Sequence, residues 1–543
     1  MPLIDHFPQG YTPRDGQTQI LNKIDECISA KQKFIVLESP TGTGKSHIAA
    51  TISNYSDDCN NYYRELVDSN HIFDRNENGS GYKYAEDVSD LPRWGTTCLT
   101  VTKQLQDQYN TIFKQAALLK GRNDYICEID NDFTVDVAPC TYIRKQLKSC
   151  ISQDVCPYFN SLKYALTNKF SVLNYSKYLT TPKFVRGRQF LICDEASEVE
   201  DMIVSHYSLN INYKQLAYQG IQCEKIVVDS YKSNYNWISN LSEEIESVIS
   251  NHQARLGSSS IPKREKKGIS QKLQYCKGLK EKVSIVLAYY DKCEYICQYN
   301  SDTCSFTPLY TNELAHNIWR SADYVILMSG TIFDHKTFTR TLGINDYEFV
   351  EVDSEFDKDK NPIYVPGTYK LNHANQDTVL PKIVDQALEI CEEYDDKGII
   401  HTHTNKITNA VKSKVKKDDR FLFRVDGVKN EHILTNHIER DDATVLVSPS
   451  MAFGVDLKDE LGRFQIIMKL PFPTLGDKRI KTLFERDKKW YIMKMFVKLI
   501  QMSGRTSRTK EDYSSTYILD GTAVDIIKRE WNNLPAHFRD RLR

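Results

Sequence analysis

Residues 39–46, SPTGTGKS, put two glycines, a lysine and a hydroxyl into one short turn. A nucleoside triphosphate needs backbone N–H groups converging on its phosphates, a cation beside the β and γ oxygens, and a hydroxyl for the Mg²⁺ it carries. Gly42 and Gly44, with Thr43 between them, permit the close approach, while Lys45 supplies the cation and Ser46 the hydroxyl. Ser39 stands where the G-x-x-x-x-G-K-[ST] pattern opens on glycine. An acidic pair should complete such a site, and RQFLICDEAS (188–197) offers one. Asp194 would hold Mg²⁺ through water and Glu195 would orient the attacking water. Taken alone, Asp-Glu after a strand is more often a solvated turn. In QMSGRTSR (501–508), Arg505 and Arg508 are three residues apart and Gln501 precedes them. An arginine reaching a γ-phosphate from another lobe stabilises the transition-state charge. On this segment alone a solvated basic turn is an equal reading.

These groups need particular elements behind them. FIVL (34–37) is a short buried strand and a helix should begin near Lys45, so the glycine turn sits between strand and helix. FLIC (190–193) is a second strand, ending at the acidic pair. A helix over 488–501 delivers Gln501. YVILMSGT is a strand ending in Ser329, Gly330 and Thr331, and two further strands flank Gly454, Val455 and Asp456. Strands near 398–402, 421–425, 444–447, 464–468 and 515–519 alternate with helices, which predicts a second α/β lobe. His401 and His403 are expected on one face of a strand, in a strand-end role rather than as metal ligands.

At 543 residues the chain exceeds a single hydrophobic core and predicts about three or four compact units. Seventy-one Lys and Arg against 72 Asp and Glu give no overall pull toward nucleic acid, so any such binding must come from local patches. No apolar run approaches a membrane span and the first residues lack an export pattern, so an intracellular protein is expected, cytoplasmic or nucleoid in a prokaryote or virus. Fourteen cysteines there are reduced thiols or metal ligands rather than disulfides. Cys127, Cys140, Cys150 and Cys156 fall within 30 residues, several times the average density. A second group, Cys276, Cys293, Cys297 and Cys304, is as dense and reads as packing among helices. For the first group the residues leave an iron-sulfur cluster, zinc and packing open, although the gaps of 12, 9 and 5 residues lack the C-x₂-C knuckles of structural zinc.

The ordered set SPTGTGKS, DEAS, MSGT, FGVD and QMSGRTSR resembles the motifs of superfamily 2 helicases, specifically the XPD/DinG group of iron-sulfur DNA helicases. YTPRDGQTQI, with Arg14 and Gln17, is similar to the adenine-side element of such motors. LTVTKQLQDQY resembles their strand-contacting motif, and VLNYSKYL the Asn-containing segment before the acidic pair. The resemblance runs from about residue 10 to 525.

It implies an α/β fold of two RecA-like motor lobes with an inserted iron-sulfur cluster domain and a helical arch domain. Lobe 1 would comprise 1–120, 161–204 and 316–334, the cluster domain 121–160, the arch 205–315 and lobe 2 335–543. The implied cofactors are ATP, Mg²⁺ and a [4Fe-4S] cluster on Cys127, Cys140, Cys150 and Cys156. Nucleotide would be bound by Arg14, Gln17, Gly42, Thr43, Gly44, Lys45, Ser46, Gly454 and Asp456, with Ser46 and Asp194 on the magnesium. Asp194, Glu195, Gln501, Arg505 and Arg508 would carry the chemistry. The implied activity is ATP-driven 5′–3′ translocation on single-stranded DNA and opening of tailed or forked duplexes, with no membrane partner. Ser197 departs from the family's usual His, Phe453 from a frequent Glu, and residues 55–95 match nothing and read as a surface excursion. Ser197 keeps an alternative alive: a nucleic-acid-stimulated ATPase that remodels or displaces partners without strand separation. RNA is the lesser substrate candidate. The basic run SSSIPKREKKGISQKLQYCKGLKEK reads as a solvated face, or as a phosphate contact in a motor that threads a strand.

Overall fold

The short apolar runs form parallel strands buried on both faces, which is why they lack polar alternation. The computed structural model describes the chain apart from residues 41, 77–80, 144–146, 148–149, 151–153, 259, 354–356, 373, 417, 424–429, 450–456, 458 and 507–511. Its first sheet is built from β1 (Phe34–Glu38), β2 (Thr96–Thr100), β3 (Ala117–Leu119), β4 (Phe170–Asn174) and β5 (Arg188–Asp194). The three-stranded sheet that follows uses β6 (Leu209–Asn212), β7 (Tyr295–Tyr299) and β8 (Thr303–Pro308), and β9 (Ala322–Ser329) and β10 (Glu348–Glu351) return to the first. The first sheet has the order β10-β1-β9-β5-β2-β4-β3, all parallel. Val36, Leu191, Cys193, Val325 and Leu327 face one side, and Ile35, Leu37, Phe190, Ile192, Ile326 and Met328 the other. Register sets Glu38 beside Ser329 and Asp194 beside Met328, so the ends of β1, β9 and β5 lie in one row. β10 belongs to this sheet, so the second lobe does not take over at residue 335.

The second sheet consists of β11 (Ile363–Tyr364), β12 (Gly398–His401), β13 (Phe421–Phe423), β14 (Val445–Ser448), β15 (Phe464–Ile467) and β16 (Ser515–Ile518). Its order is β11-β16-β15-β12-β14-β13, again parallel. β12 stops at His401, and His403 turns away with φ +62°, so the two histidines do not share a strand face. Between β15 and β16 come the helices Lys478–Arg486 and Lys488–Ser503. The second packs Met495, Phe496 and Leu499 into the first lobe's core, with Phe496 stacked on Phe333 at 4.4 Å.

Residues 55–95 are not a surface excursion. Asn60 caps the helix Asn61–Asp68, and Tyr63, Leu66, Val67, Ile72, Val88 and Trp94 are buried in the first lobe's core. The arch is a pair of 27-residue helices, Tyr231–Gly257 and Lys263–Tyr289, each about 40 Å long. Ile238, Leu241, Ile245, Leu273 and Val283 meet along their seam. Cys276, Cys297 and Cys304 lie in this core while Cys293 packs against the first lobe. The basic run is largely engaged within the protein. Lys263 meets Asp130 at 2.9 Å and Asp132 at 3.1 Å, Lys277 donates to the Thr141 carbonyl at 3.1 Å, and Ser270 to that of Val137 at 2.7 Å. Among the described residues no helix is long and apolar enough to cross a membrane.

Candidate functional site

The phosphate loop is shaped by a left-handed backbone. Gly42 has φ +89° and Gly44 φ +78°. A Cβ on Gly44 would lie 2.3 Å from the tip of the Gln17 side chain and displace it, but it is the positive φ that calls for glycine there. The helix Lys45–Tyr55 starts immediately after, aiming its N–H groups and positive dipole end at the loop. Arg14 Nη1 donates to the Gly42 carbonyl at 2.8 Å and Gln17 Nε2 to that of Gly44 at 3.3 Å, so the upstream element buttresses the loop. Lys45 Nζ reaches the Ser39 carbonyl at 3.3 Å, Thr43 Oγ1 donates to the Pro40 carbonyl at 2.8 Å, and Ser46 is the helix's second residue.

The acidic pair closes the other side. Asp194 is 6% exposed, accepting from the Tyr109 hydroxyl at 3.0 Å and from the Glu195 N–H at 3.0 Å. Burial, then the neighbouring Glu195 charge, raise its carboxyl to about 6, against the pull of Lys45. A cation at this carboxylate would return it to the charged form. Glu195 occupies the left-handed region, φ +51° and ψ +52°, a costly conformation for a residue with a Cβ and one concentrated at active sites. Glu38, at the end of β1, was not anticipated. It is 3% exposed, accepts from the Ile332 N–H at 2.8 Å, and burial pushes its carboxyl up to about 8. An acid ending a buried strand one residue before a phosphate loop was its only sequence signal.

Ser197 is the junction between lobes. Its Oγ accepts from Ser329 Oγ at 3.1 Å and from Gln501 Nε2 at 3.1 Å. One hydroxyl thereby joins the acidic segment, the end of β9 and the last turn of the helix Lys488–Ser503. Arg505 follows in the next turn, with its charge beside His401. Gly454, Asp456, Phe453 and Arg508 lie outside the described residues.

Three residues past Ser197, Glu200 forms a buried network that the sequence did not disclose. It receives Arg479 Nη2 at 2.7 Å and Trp490 Nε1 at 2.9 Å, with Lys494 Nζ at 3.6 Å. Burial alone would raise this carboxyl; Lys494, Arg479 and the hydrogen bonds outweigh it and hold it below the usual range.

Away from this cleft, Cys127, Cys140, Cys150 and Cys156 all border one small apolar cavity. Burial pushes the Cys140 thiol up to about 11, with its three companions adding to the effect. Among the described residues no group of three His, Cys, Asp or Glu side chains could hold a metal ion.

Two family models match the sequence: the helicase C-terminal domain over residues 387–541 and the type III restriction enzyme res subunit over 10–83. A probable ATP-dependent helicase of Methanocaldococcus jannaschii is 24% identical over 256 residues, 42% of this chain, and the match spans 39% of that protein's length. An XPD helicase structure superposes with TM-score 0.61 at 14% identity, covering 96% of this chain and 98% of its own. Xpd4 of S. tokodaii gives TM-score 0.54 at 12% identity over 95% and 97%.

Proposed function

We propose that this chain, which has the architecture of the XPD/DinG-like superfamily 2 helicases, couples ATP hydrolysis to 5′–3′ movement along single-stranded DNA and opens tailed or forked duplexes. The observation that carries the proposal is the hydrogen-bonded bridge through Ser197. A nucleotide site whose acidic segment is hydrogen-bonded to the last turn of the helix Lys488–Ser503 can turn hydrolysis into lobe movement.

In this reading Lys45 neutralises the β and γ oxygens and Glu195 aligns the attacking water. Ser46 and Asp194 would hold Mg²⁺, which supplies positive charge to the phosphate oxygens. Arg14, Gln17, Gly42, Thr43 and Gly44 shape the nucleotide cradle, and Gly454 and Asp456 would complete it from the second lobe. Arg505 and Arg508 would act as fingers, with Gln501 sensing the acidic segment. Ser197 takes over the joining role that His serves in the family. Ser197→Ala is expected to lower DNA-stimulated ATP turnover about tenfold, the worth of one to two hydrogen bonds, with Ser197→Thr nearly normal. Equal turnover in the two variants would remove the bridge from the mechanism.

The four cysteines suit a [4Fe-4S] cluster. What supports this reading is that Cys127, Cys140, Cys150 and Cys156 border one small apolar cavity; they would hold the cluster as thiolates. Burial favours the protonated Cys140 thiol, and a bound cluster would require it as the thiolate. Anaerobically purified protein should carry about four irons per chain, and Cys127→Ser less than one. Iron content unchanged in that variant would exclude Cys127 as a ligand.

Strand displacement tests the whole reading. The protein should separate 5′-tailed duplexes and leave 3′-tailed ones, and Lys45→Ala should abolish both displacement and DNA-stimulated ATPase activity. Robust ATPase without displacement on either polarity would favour the remodelling factor, for which the Ser at 197 is the motivating feature.

A further inference from the structure

The first sheet carries a second concave site at the opposite end of its strands. A cavity of about 260 Å³ opens there between residues 55–95 and the starts of β2, β5 and β9, bordered by Tyr63, Arg93, Trp94, Lys183, Phe184 and Arg320. Gly187 and Ser321, which also border it, immediately precede β5 and β9, whereas Asp194 ends β5. The seven residues of β5 put the cavity about 20 Å from the acidic pair.

Its charge is unbalanced. Lys183 Nζ donates to Asn317 Oδ1 at 3.2 Å and Arg320 Nη2 shares that oxygen, while Arg93 Nη2 donates to the Arg320 carbonyl at 2.9 Å. Between the lining residues Val185 and Gly187 sits Arg186, 5% exposed, and next to Gly187 comes Arg188, 3% exposed. Both donate to main-chain carbonyls, and each guanidinium also lies over an aromatic ring, Arg186 over Tyr178 at 4.8 Å and Arg188 over Trp94 at 4.2 Å. Among the described residues, Arg93 is the one member of this group of five that meets a carboxylate, that of Asp323. Burial, then Arg320 and Arg186, lower the Lys183 pKa, so these cations repel one another. Lys183 and Arg320 are exposed and Arg93 is part-exposed, so these three cations are open to an anion from solvent, whereas Arg186 and Arg188 are buried. The Tyr63 hydroxyl is buried beside the Arg188 guanidinium and borders the same cavity.

We propose that this cavity binds a small phosphorylated ligand, its phosphate held by Lys183, Arg320 and Arg93 and its organic part against Trp94 and Phe184. Guanidinium forks match phosphate oxygens. The half-open cavity of about 260 Å³ suits a compact ligand rather than a continuous strand, which needs an extended groove.

The test uses inorganic pyrophosphate as probe and the full-length chain. By equilibrium dialysis the wild type should bind at two sites and Lys45→Ala at one. Lys183→Met with Arg320→Met in the Lys45→Ala protein should weaken the remaining site at least tenfold. Lys183→Met alone spares the Arg320–Asn317 bond and decides the matter if the triple variant misfolds; it should weaken that site several-fold while leaving ATPase turnover at the wild-type value. Loss of all pyrophosphate binding in Lys45→Ala, or binding indifferent to Lys183, would overturn the proposal. So would displacement of the probe by a short oligothymidylate that itself depends on Lys183, which would give the cavity to a nucleic-acid strand.

Discussion

Glu195→Gln is expected to bind ATP as tightly as the wild type and to hydrolyse it about a hundred to ten thousand times more slowly, the range that a positioned general base contributes. The amide keeps the shape and the left-handed backbone at φ +51° but cannot draw a proton from water. Asp194 cannot substitute, because its oxygens are engaged by the Tyr109 hydroxyl and the Glu195 N–H and it is the carboxylate that would hold Mg²⁺. Rapid-quench measurement of a single turnover separates the two steps, since bound nucleotide should persist while phosphate release stalls. Turnover within threefold of wild type would assign the water to another residue.

Glu200→Leu is expected to be the most destabilising single change in the lobe interface. It strands Arg479, 6% exposed, and the Trp490 indole N–H without their acceptor. Breaking a buried pair in this way costs about 3–5 kcal/mol. Arg479→Met added to it should recover part of the loss, because no orphaned charge then remains. The Glu200 carboxyl is held below its usual range, so its contribution is present above the unfolded value near 4.3 and disappears as pH falls through the folded value. Wild type and Glu200→Leu should therefore differ in calorimetric melting temperature at neutral pH and converge toward pH 3. A constant difference across that range would mean that packing, not charge, sustains the interface.

What could be read from the sequence was contiguous. Residues 39–46 declare a phosphate loop because the two glycines, the lysine and the hydroxyl act within one turn, and the strand before it and the helix after it are set by local periodicity. The helix predicted over 488–501 is present as Lys488–Ser503 for the same reason. What failed was long-range pairing. Ser197 and Gln501 are 304 positions apart, Glu200 and Arg479 are 279 apart, and no local pattern announces either meeting. β10 reads as the opening of the second lobe because it follows the MSGT strand, yet it returns to the free edge of β1. The polar composition of residues 55–95 concealed a handful of apolar side chains at helical spacing, Tyr63, Leu66 and Val67, that suffice to bury the segment.

The junction between the arch helix and the cysteine-bearing segment has a mechanical consequence. The chain leaves the first lobe twice, and the two excursions are buttoned together by Lys263 on Asp130 and Asp132, by Lys277 and by Ser270. Of these fastenings the Lys263–Asp132 pair is mostly exposed, 62% and 71%, and an ion pair of that kind is worth about 1 kcal/mol or less and weakens with salt, whereas the Ser270 bond is buried. The Glu200 network is buried and scarcely feels salt. At high ionic strength the Lys263 pairs loosen first, so the arch stays tied to the cysteine segment by the Ser270 and Lys277 bonds while the lobes keep the salt-insensitive Glu200 network.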